Sequence, residues 1–508
     1  MIKIINKLEN IYFDKFHENF KPIYIYLSQK QDTIIYSDSI KELLNCPKIK
    51  RPLKTSTQSI SFLLQCGFIP PPRTIYKNIY ILGIGDKAKA LIQNKKFKLK
   101  FEHYNPFLKI NIKEKKNNSL NSKDFLEILA TACIQQIDET KPTFLFHSSG
   151  KDSNTIALAL AEAGYQKKVT LICHDHGGIA HDHSNKIKNE SNISYKIAKK
   201  LGFKHIKLKD YNRKIDFVKK KEIDNIFLKS PFPCLDKVML AYPLYVSQIS
   251  DLKNSNIIDG SGNDFCFGTP PSYKEKRLLL LSRIFQNFTV FRKLFNSENI
   301  LTALGRTSAE WAGGCNGFTY LESKKFYKPS KDLYNFWLNE TLSRRHFNLI
   351  DFKTSIYTPW TIAEMHIRKV QNFADSVNSK LILPFTDRNV VNYITNLSEE
   401  NLIDINNLKN KIFLRQLLKK YIGLDSDKLG KYGWGFHPLD LLINNLDFYS
   451  TEIINCRLWK KNEIKNILER LISKAIKADS SYSATNARTY IFNLYLISAW
   501  INKNIYIN

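Results

Sequence analysis

The passage that most constrains this chain runs from an apolar segment, Thr143–Phe146, through His147-Ser-Ser-Gly-Lys-Asp-Ser153, into an apolar-rich segment, Thr155–Ala161. That order reads as strand, tight polar turn, helix. A turn of small residues at a helix N-terminus presents backbone N–H groups, and the helix dipole adds partial positive charge there. Ser148, Ser149 and Ser153 add hydroxyls, and Gly150 allows close approach of the backbone. Such a turn suits phosphate. Asp152 is out of place in an anion site unless a divalent cation sits between carboxylate and phosphate. The plainer alternative is a serine-capped helix after a buried strand. The turn is not a Walker A loop, because that loop needs two spaced glycines and only Gly150 is present.

The rest of the chain bounds the fold. At 508 residues it has room for roughly two to four domains. No run of about 18 apolar residues appears, so no membrane span is expected. The first residues lack the long apolar region of a signal peptide. Eight scattered cysteines without a Cys-x-x-Cys pair read as free thiols, and a cytoplasmic location is expected. The net charge of +30 would suit an anionic partner. The lysines are spread along a chain rich in Lys, Asn and Ile, without localised aromatic–basic alternation, so no nucleic-acid partner is expected.

Residues 1–110 read as a first unit. It has short strands at Tyr24–Leu27 and Thr33–Tyr36, a helix over Ser39–Leu44 and a rigid turn at Pro70–Thr74. A polar linker covers 111–123, and a second unit covers 124–508. That unit opens on a helix over Asp124–Asp138. Strand 143–146, a helix near 154–164, strand 168–173, a helix near 188–201 and strand 204–208 follow. Alternating strands and helices predict an α/β fold with a parallel, doubly wound sheet, helical beyond about residue 270. Ligands of such sheets bind at the carboxyl ends of the strands, where 147–153 lies.

With these residues in place, the chain resembles the asparagine synthetase superfamily, which includes β-lactam synthetases and lasso-peptide cyclases. Ser148–Ser153 is similar to its pyrophosphate loop, with Ser149 where the family has glycine. Asn189–Gly202 is similar to its Asp-Glu-Ser helix. Asp259-Gly-Ser-Gly-Asn-Asp-Phe-Cys-Phe-Gly268 is similar to its second glycine-rich loop, and Leu383–Asp387 to its Val-Pro-Phe-Leu-Asp segment. Lys431-Tyr-Gly433 with Phe436 and Pro438 is similar to its lysine-bearing loop. The first unit resembles the later part of the family's glutaminase domain. Ile2 stands where the family has its nucleophilic cysteine, and the next candidate is Cys46, so no glutamine hydrolysis is expected and 1–110 reads as a structural remnant.

The resemblance implies a doubly wound sheet of the ATP-pyrophosphatase type and a two-step reaction using ATP and Mg²⁺. A substrate carboxylate is adenylated with release of pyrophosphate, and an amine then displaces AMP. It implies Asp152 and Asp264 as Mg²⁺ ligands with a catalytic part. Ser148, Ser149, Gly150, Lys151, Ser153, Gly260 and Gly262 would hold the nucleotide, and Leu171, Ile172 and Cys173 would border adenine. Lys431 would stabilise the charged phosphorus and the later oxyanion. Lys411 and Arg415, at i,i+4, either assist phosphate binding or form a solvated basic face.

Two departures stand out. Phe265 replaces the family's glutamate after the second aspartate, and Lys380 replaces the acidic residue of the β-lactam synthetase dyad. Lys380 points toward a specialised carboxylate and amine, such as a precursor peptide, with a pathway partner protein as a further expectation, while Phe265 and Ser149 leave room for a non-catalytic homologue. Ammonia-dependent asparagine synthesis and a non-catalytic nucleotide binder are the alternatives. The run Cys173-His-Asp-His-Gly-Gly-Ile-Ala-His-Asp-His183 reads either as a zinc site or as a polar loop over the nucleotide.

Overall fold

A computed structural model describes residues 2–6, 9–14, 22–83, 86–103, 121–175, 190–209, 214–215, 217–285, 290–429, 438–477 and 481–507. Among the described residues, seven strands lie in the first unit: β1 (Lys3–Ile5), β2 (Ile11–Asp14), β3 (Ile23–Leu27), β4 (Ile34–Ser37), β5 (Ile79–Leu82), β6 (Asp86–Gln93) and β7 (Lys96–His103). They form two antiparallel sheets, ordered β1-β4-β3-β5 and β2-β6-β7. Phe13, Ile25, Leu27, Ile34, Leu82 and Phe97 fill the space between them.

The opposite face of the first sheet carries Tyr24, Tyr26, Ile35, Ile79 and Ile81, by the two-residue period of a strand. These join one continuous core with the helices of the C-terminal region. Polar contacts cross the same boundary. Tyr76 Oη donates to Pro231 O, Arg368 donates to Tyr24 Oη at 3.2 Å, and Leu53 N donates to Tyr506 O at 3.0 Å.

The second unit is built on five parallel strands: β8 (Thr143–Phe146), β9 (Val169–Asp175), β10 (Lys204–Lys209), β11 (Asn256–Ile258) and β12 (Lys380–Ile382). Their order is β10-β9-β8-β11-β12. All four residues of β8 are buried, as a strand covered on both faces requires. Phe144, Phe146, Ile172 and Ile257 enter one core, where helices Phe217–Lys229, Tyr242–Gln248 and Arg368–Ser376 pack. Leu145, Leu171, Ile258 and Ile382 enter the other, with helices Ser122–Ile134, Lys151–Glu162 and Ile412–Ile422. The fold is α/β with a helical C-terminal region, where the 22-residue helix Tyr482–Lys503 is buried along most of its length. Among the described residues no helix is long and apolar enough to cross a membrane.

The chain runs outward from β8 through β9 to β10, then returns to the other side of β8 for β11 and β12. That reversal opens a crevice between the carboxyl ends of β8 and β11, the usual ligand position in such sheets.

Several boundaries differ from expectation. The helix after β8 begins at Lys151, because Gly150 takes the extended N-cap conformation, so Lys151, Asp152 and Ser153 form its first turn. The helix expected over Asp124–Asp138 spans Ser122–Ile134, capped by the Asn121 side chain. Residues 104–120, most of the expected linker, lie outside the described residues.

Candidate functional site

Two loops meet at the crevice. The first, 147–153, leads from β8 into the helix Lys151–Glu162. The second, 259–263, leads from β11 into the short helix Asp264–Phe267. Two glycines set their approach. A Cβ on Gly260 would lie 3.1 Å from Asp152 Cβ and 3.2 Å from Ser153 N. Gly262 has φ +102° and a Cβ there would fall 2.5 Å from Thr386 Cγ2, so any larger residue is excluded. These are the positions the sequence marked for nucleotide contact. In the fold they let the second loop lie flat against the first and against Thr386.

The result brings Asp152 and Asp264 together. The Nζ of Lys411 lies 2.9 Å from Asp152 Oδ2, 3.0 Å from Asp264 Oδ1 and 2.9 Å from Asn263 Oδ1. Three acceptors thus match the three donors of the ammonium. Lys411 is buried, while both carboxylates keep a face toward solvent. Burial alone would lower the Lys411 pKa; the carboxylates of Asp152 and Asp264 more than reverse it, and the pKa is raised. The lysine is therefore charged.

Of the two readings of Lys411 and Arg415, the solvated basic face does not hold for Lys411, which is buried. Lys411 precedes the helix Ile412–Ile422 at its N-cap, in the left-handed conformation with φ +60°. A cation at a helix N-terminus opposes the dipole, and a left-handed non-glycine residue is strained. The contacts with Asp152, Asp264 and Asn263 offset both. Arg415 turns away instead, donating to Asn410 O at 2.9 Å and pairing with Asp427.

The first loop is held from below by a chain of neutral hydrogen bonds. Asn154 Nδ2 donates to Gly150 O at 2.6 Å and Ser148 O at 3.2 Å, so its Oδ1 accepts from His147 Nε2 at 2.9 Å. His147 Nδ1 then accepts from Ser194 Oγ at 2.7 Å, and Ser194 Oγ accepts from His205 Nε2 at 2.8 Å. The tautomers follow from the network. Burial pushes the His147 pKa down to about 3 and that of His205 down to about 4, so both rings are neutral at pH 7. Ser148 and Ser153 close the loop: Ser148 N donates to Ser153 Oγ at 3.2 Å, and Gly150 N donates to Ser148 Oγ at 3.0 Å. Ser149 is buried in the turn. The first-turn amides of the helix point out of its N-terminal end, beside Asp152.

Of the remaining sequence-predicted positions, Leu171, Ile172 and Cys173 are buried within β9. Leu171 and Ile172 point to the two cores rather than into the crevice. Asp387 caps the helix Arg388–Thr395 by accepting from Asn389 N at 2.9 Å. Lys380 is exposed at the amino end of β12, the edge of the sheet opposite the crevice. Phe265 is buried against Ile362 and Val391. Lys431 lies outside the described residues, as does the histidine-rich run beyond Asp175.

The donor set fits a hard divalent cation. Among the described residues no three His, Cys, Asp or Glu side chains converge. Mg²⁺ is typically held by one or two carboxylates together with substrate phosphates, and Asp152 and Asp264 supply two that already flank a cationic group. No protein-family model and no curated protein matches the chain.

Proposed function

We propose that this chain is an ATP-dependent, AMP-forming amide ligase, built on a sheet of the ATP-pyrophosphatase type and similar to the asparagine synthetase superfamily. The observation that carries the reading is the convergence of Asp152 and Asp264, from loops after two adjacent strands, beside a helix N-terminus lined by serines. A phosphate-binding turn explains the serines, and a cation-binding pair explains carboxylates in an anion site.

In this reading the helix N-terminus and the hydroxyls of Ser148, Ser149 and Ser153 receive the β- and γ-phosphates. Asp152 and Asp264 would hold Mg²⁺, whose chemistry is neutralisation of charge on the pyrophosphate as it leaves. Lys411 keeps the two carboxylates together before nucleotide arrives, and its ammonium lies at hand for phosphate oxygens. A substrate carboxylate oxygen bonds to the α-phosphorus while the bond to the bridging oxygen breaks. An amine nitrogen then bonds to the acyl carbon and AMP departs. Lys431, from the lysine-bearing loop, is assigned to the charge that develops at phosphorus and at the acyl oxygen. The carboxylate and amine belong to a specialised substrate, of which a peptide is the foremost candidate.

A second reading, a nucleotide binder without catalysis, draws on one observation: the Lys411 ammonium is saturated by acceptors. ³¹P NMR of protein with ATP, Mg²⁺ and a set of carboxylates separates the two. AMP and pyrophosphate are expected. ADP and phosphate would overturn the adenylation chemistry, and unchanged ATP with every carboxylate would favour the binder.

A further inference from the structure

Beside the two-aspartate centre lies a polar group that nucleotide chemistry leaves unused. Tyr357–Ile367 form an 11-residue π-helix. π-Helical turns are rare and concentrate at functional sites. The wide winding has a local consequence. Tyr357 and His366 are nine positions apart, about two and a half turns of an α-helix, which would set them on opposite faces. Here they share a face, and Tyr357 Oη lies 3.4 Å from His366 Nε2.

The other ring nitrogen is also placed. His366 Nδ1 lies 3.2 Å from Asp236 Oδ2, and Lys369 Nζ donates to the same oxygen at 2.8 Å. Asp236 Oδ1 accepts from Val238 N at 3.0 Å. Burial would raise the Asp236 pKa, but Lys369 and His366 more than reverse it and hold the carboxyl well below its usual range. An ionised Asp236 fixes His366 as the Nδ1–H tautomer, leaving Nε2 to accept from the Tyr357 hydroxyl. Burial, aided by the Asp264 carboxylate, pushes the Tyr357 pKa up to about 12, so the phenol keeps its proton at neutral pH. The order carboxylate, imidazole, hydroxyl is the one that activates a hydroxyl or passes a proton inward.

This group borders the candidate site. Tyr357 packs with the cluster around Phe265, the residue after Asp264. His366 retains about a third of its side-chain surface, with 33% exposed. The charged groups around the pair are Asp236 and Lys369, the Asp264 carboxylate, and Lys353, whose Nζ stands 5.1 Å from the Tyr357 ring centre and pairs with Glu275. Glu364 and Arg368, on the neighbouring turns, pair with each other.

We propose that Tyr357, His366 and Asp236 form the proton relay that deprotonates the attacking amine, an inference that rests on the ligase reading above. The amine, arriving as an ammonium, gives one proton to Tyr357 Oη while the phenol proton passes to His366 Nε2. The imidazolium is balanced by Asp236. The neutral nitrogen then bonds to the acyl carbon, the carbon–oxygen bond to the phosphate breaks, and AMP leaves with that electron pair. The second amine proton passes to solvent water as the tetrahedral adduct collapses. The relay residues act on the amine and not on ATP.

The test separates the half-reactions in the full-length protein. The carboxylates are L-aspartate, L-glutamate and synthetic peptides bearing internal Asp or Glu. The nucleophiles are ammonium, glycine methyl ester and hydroxylamine, the last already unprotonated at neutral pH. Exchange of labelled pyrophosphate into ATP reads adenylation, and mass spectrometry reads the amide or hydroxamate. In His366→Gln, exchange should persist while amide formation falls by about 100-fold or more. Hydroxamate formation should be nearly untouched. Tyr357→Phe should show the same split with a smaller drop. Equal loss with hydroxylamine and ammonium, or unchanged amide formation in His366→Gln, would overturn the relay. Wild-type protein that supports no exchange with any carboxylate would overturn the ligase reading, and the relay with it.

Discussion

The two halves of the crevice are held by different forces. The loop 147–153 rests on neutral groups, with His147, Asn154, Ser194 and His205 passing hydrogen bonds from one to the next. The junction of that loop with the second rests on charge, with Asp152, Asp264 and Lys411 around one point. A neutral network below a backbone turn fixes shape and is indifferent to salt. The two carboxylates are partly exposed and can exchange partners, so that a metal ion can share them with the ammonium and a phosphate oxygen can join that cation. The difference suits a site that must keep one loop rigid while admitting a highly charged ligand beside it.

Five substitutions sharpen or break this contrast. The largest effect belongs to the ionic half. Asp152→Asn and Asp264→Asn should each cut AMP-forming turnover by orders of magnitude, measured as pyrophosphate release, because each removes charge that positions the cation and the leaving group. Near-normal turnover in both would make the cluster a structural ion pair.

Next is Lys411→Met, which leaves two carboxylates facing one another. The variant should lose about 3 kcal/mol of stability in metal-free buffer, read by urea unfolding. Mg²⁺ without nucleotide should restore much more stability to it than it adds to wild type. Equal Mg²⁺ effects in the two proteins would show that the carboxylates do not bind the ion.

The neutral half should respond to pH instead. The His147 pKa is about 3 in the fold against an ordinary 6.5, so the unfolded chain binds the extra proton between those values. Stability from this ring is therefore complete above pH 6.5 and declines as pH falls toward 3, by roughly 1 kcal/mol per pH unit. Asp375, whose pKa burial raises to about 6, contributes with the opposite sign between its ordinary 3.8 and 6. The informative quantity is thus the difference between wild type and His147→Asn, in which Asp375 cancels. That difference should shrink as pH is lowered from 6.5 to 4.5 in urea titrations, and a constant difference would mean His147 is not held neutral. Ser194→Ala is the smallest change. It should cost about 1–2 kcal/mol by unpairing His147 Nδ1 and His205 Nε2, with the same loss at low and high salt.

The parts of this arrangement differ in how plainly the sequence announces them. The strand, turn and helix around Ser148–Ser153 are legible because apolar runs flank a polar turn. The glycines of 259–262 are legible because close approach needs them. Strands β5 to β7 are harder to see: β6 alternates Lys and Ala and β7 alternates Lys with apolar residues, so their inner faces emerge only when the two sheets pack. Lys411 is hidden among 77 basic residues. Its local signal is a lysine set against the dipole at the head of an apolar helix, a conflict that marks a residue held by something outside the helix. Tyr357 and His366 are nine apart, a spacing that belongs to no α-helical face, so only the π-helix reveals them. Lys380 shows the reverse: it matches a functional position by spacing, yet lies at the far edge of the sheet.

The central claim, that Asp152 and Asp264 serve the adenylation of a carboxylate, has one direct measurement. The carboxylate that drives pyrophosphate exchange is labelled with ¹⁸O in both oxygens, turned over with ATP and amine, and the products are weighed by mass spectrometry. The account predicts one ¹⁸O in each AMP formed, carried there when the acyl carbon–oxygen bond breaks. Unlabelled AMP, or label found in inorganic phosphate, would contradict it.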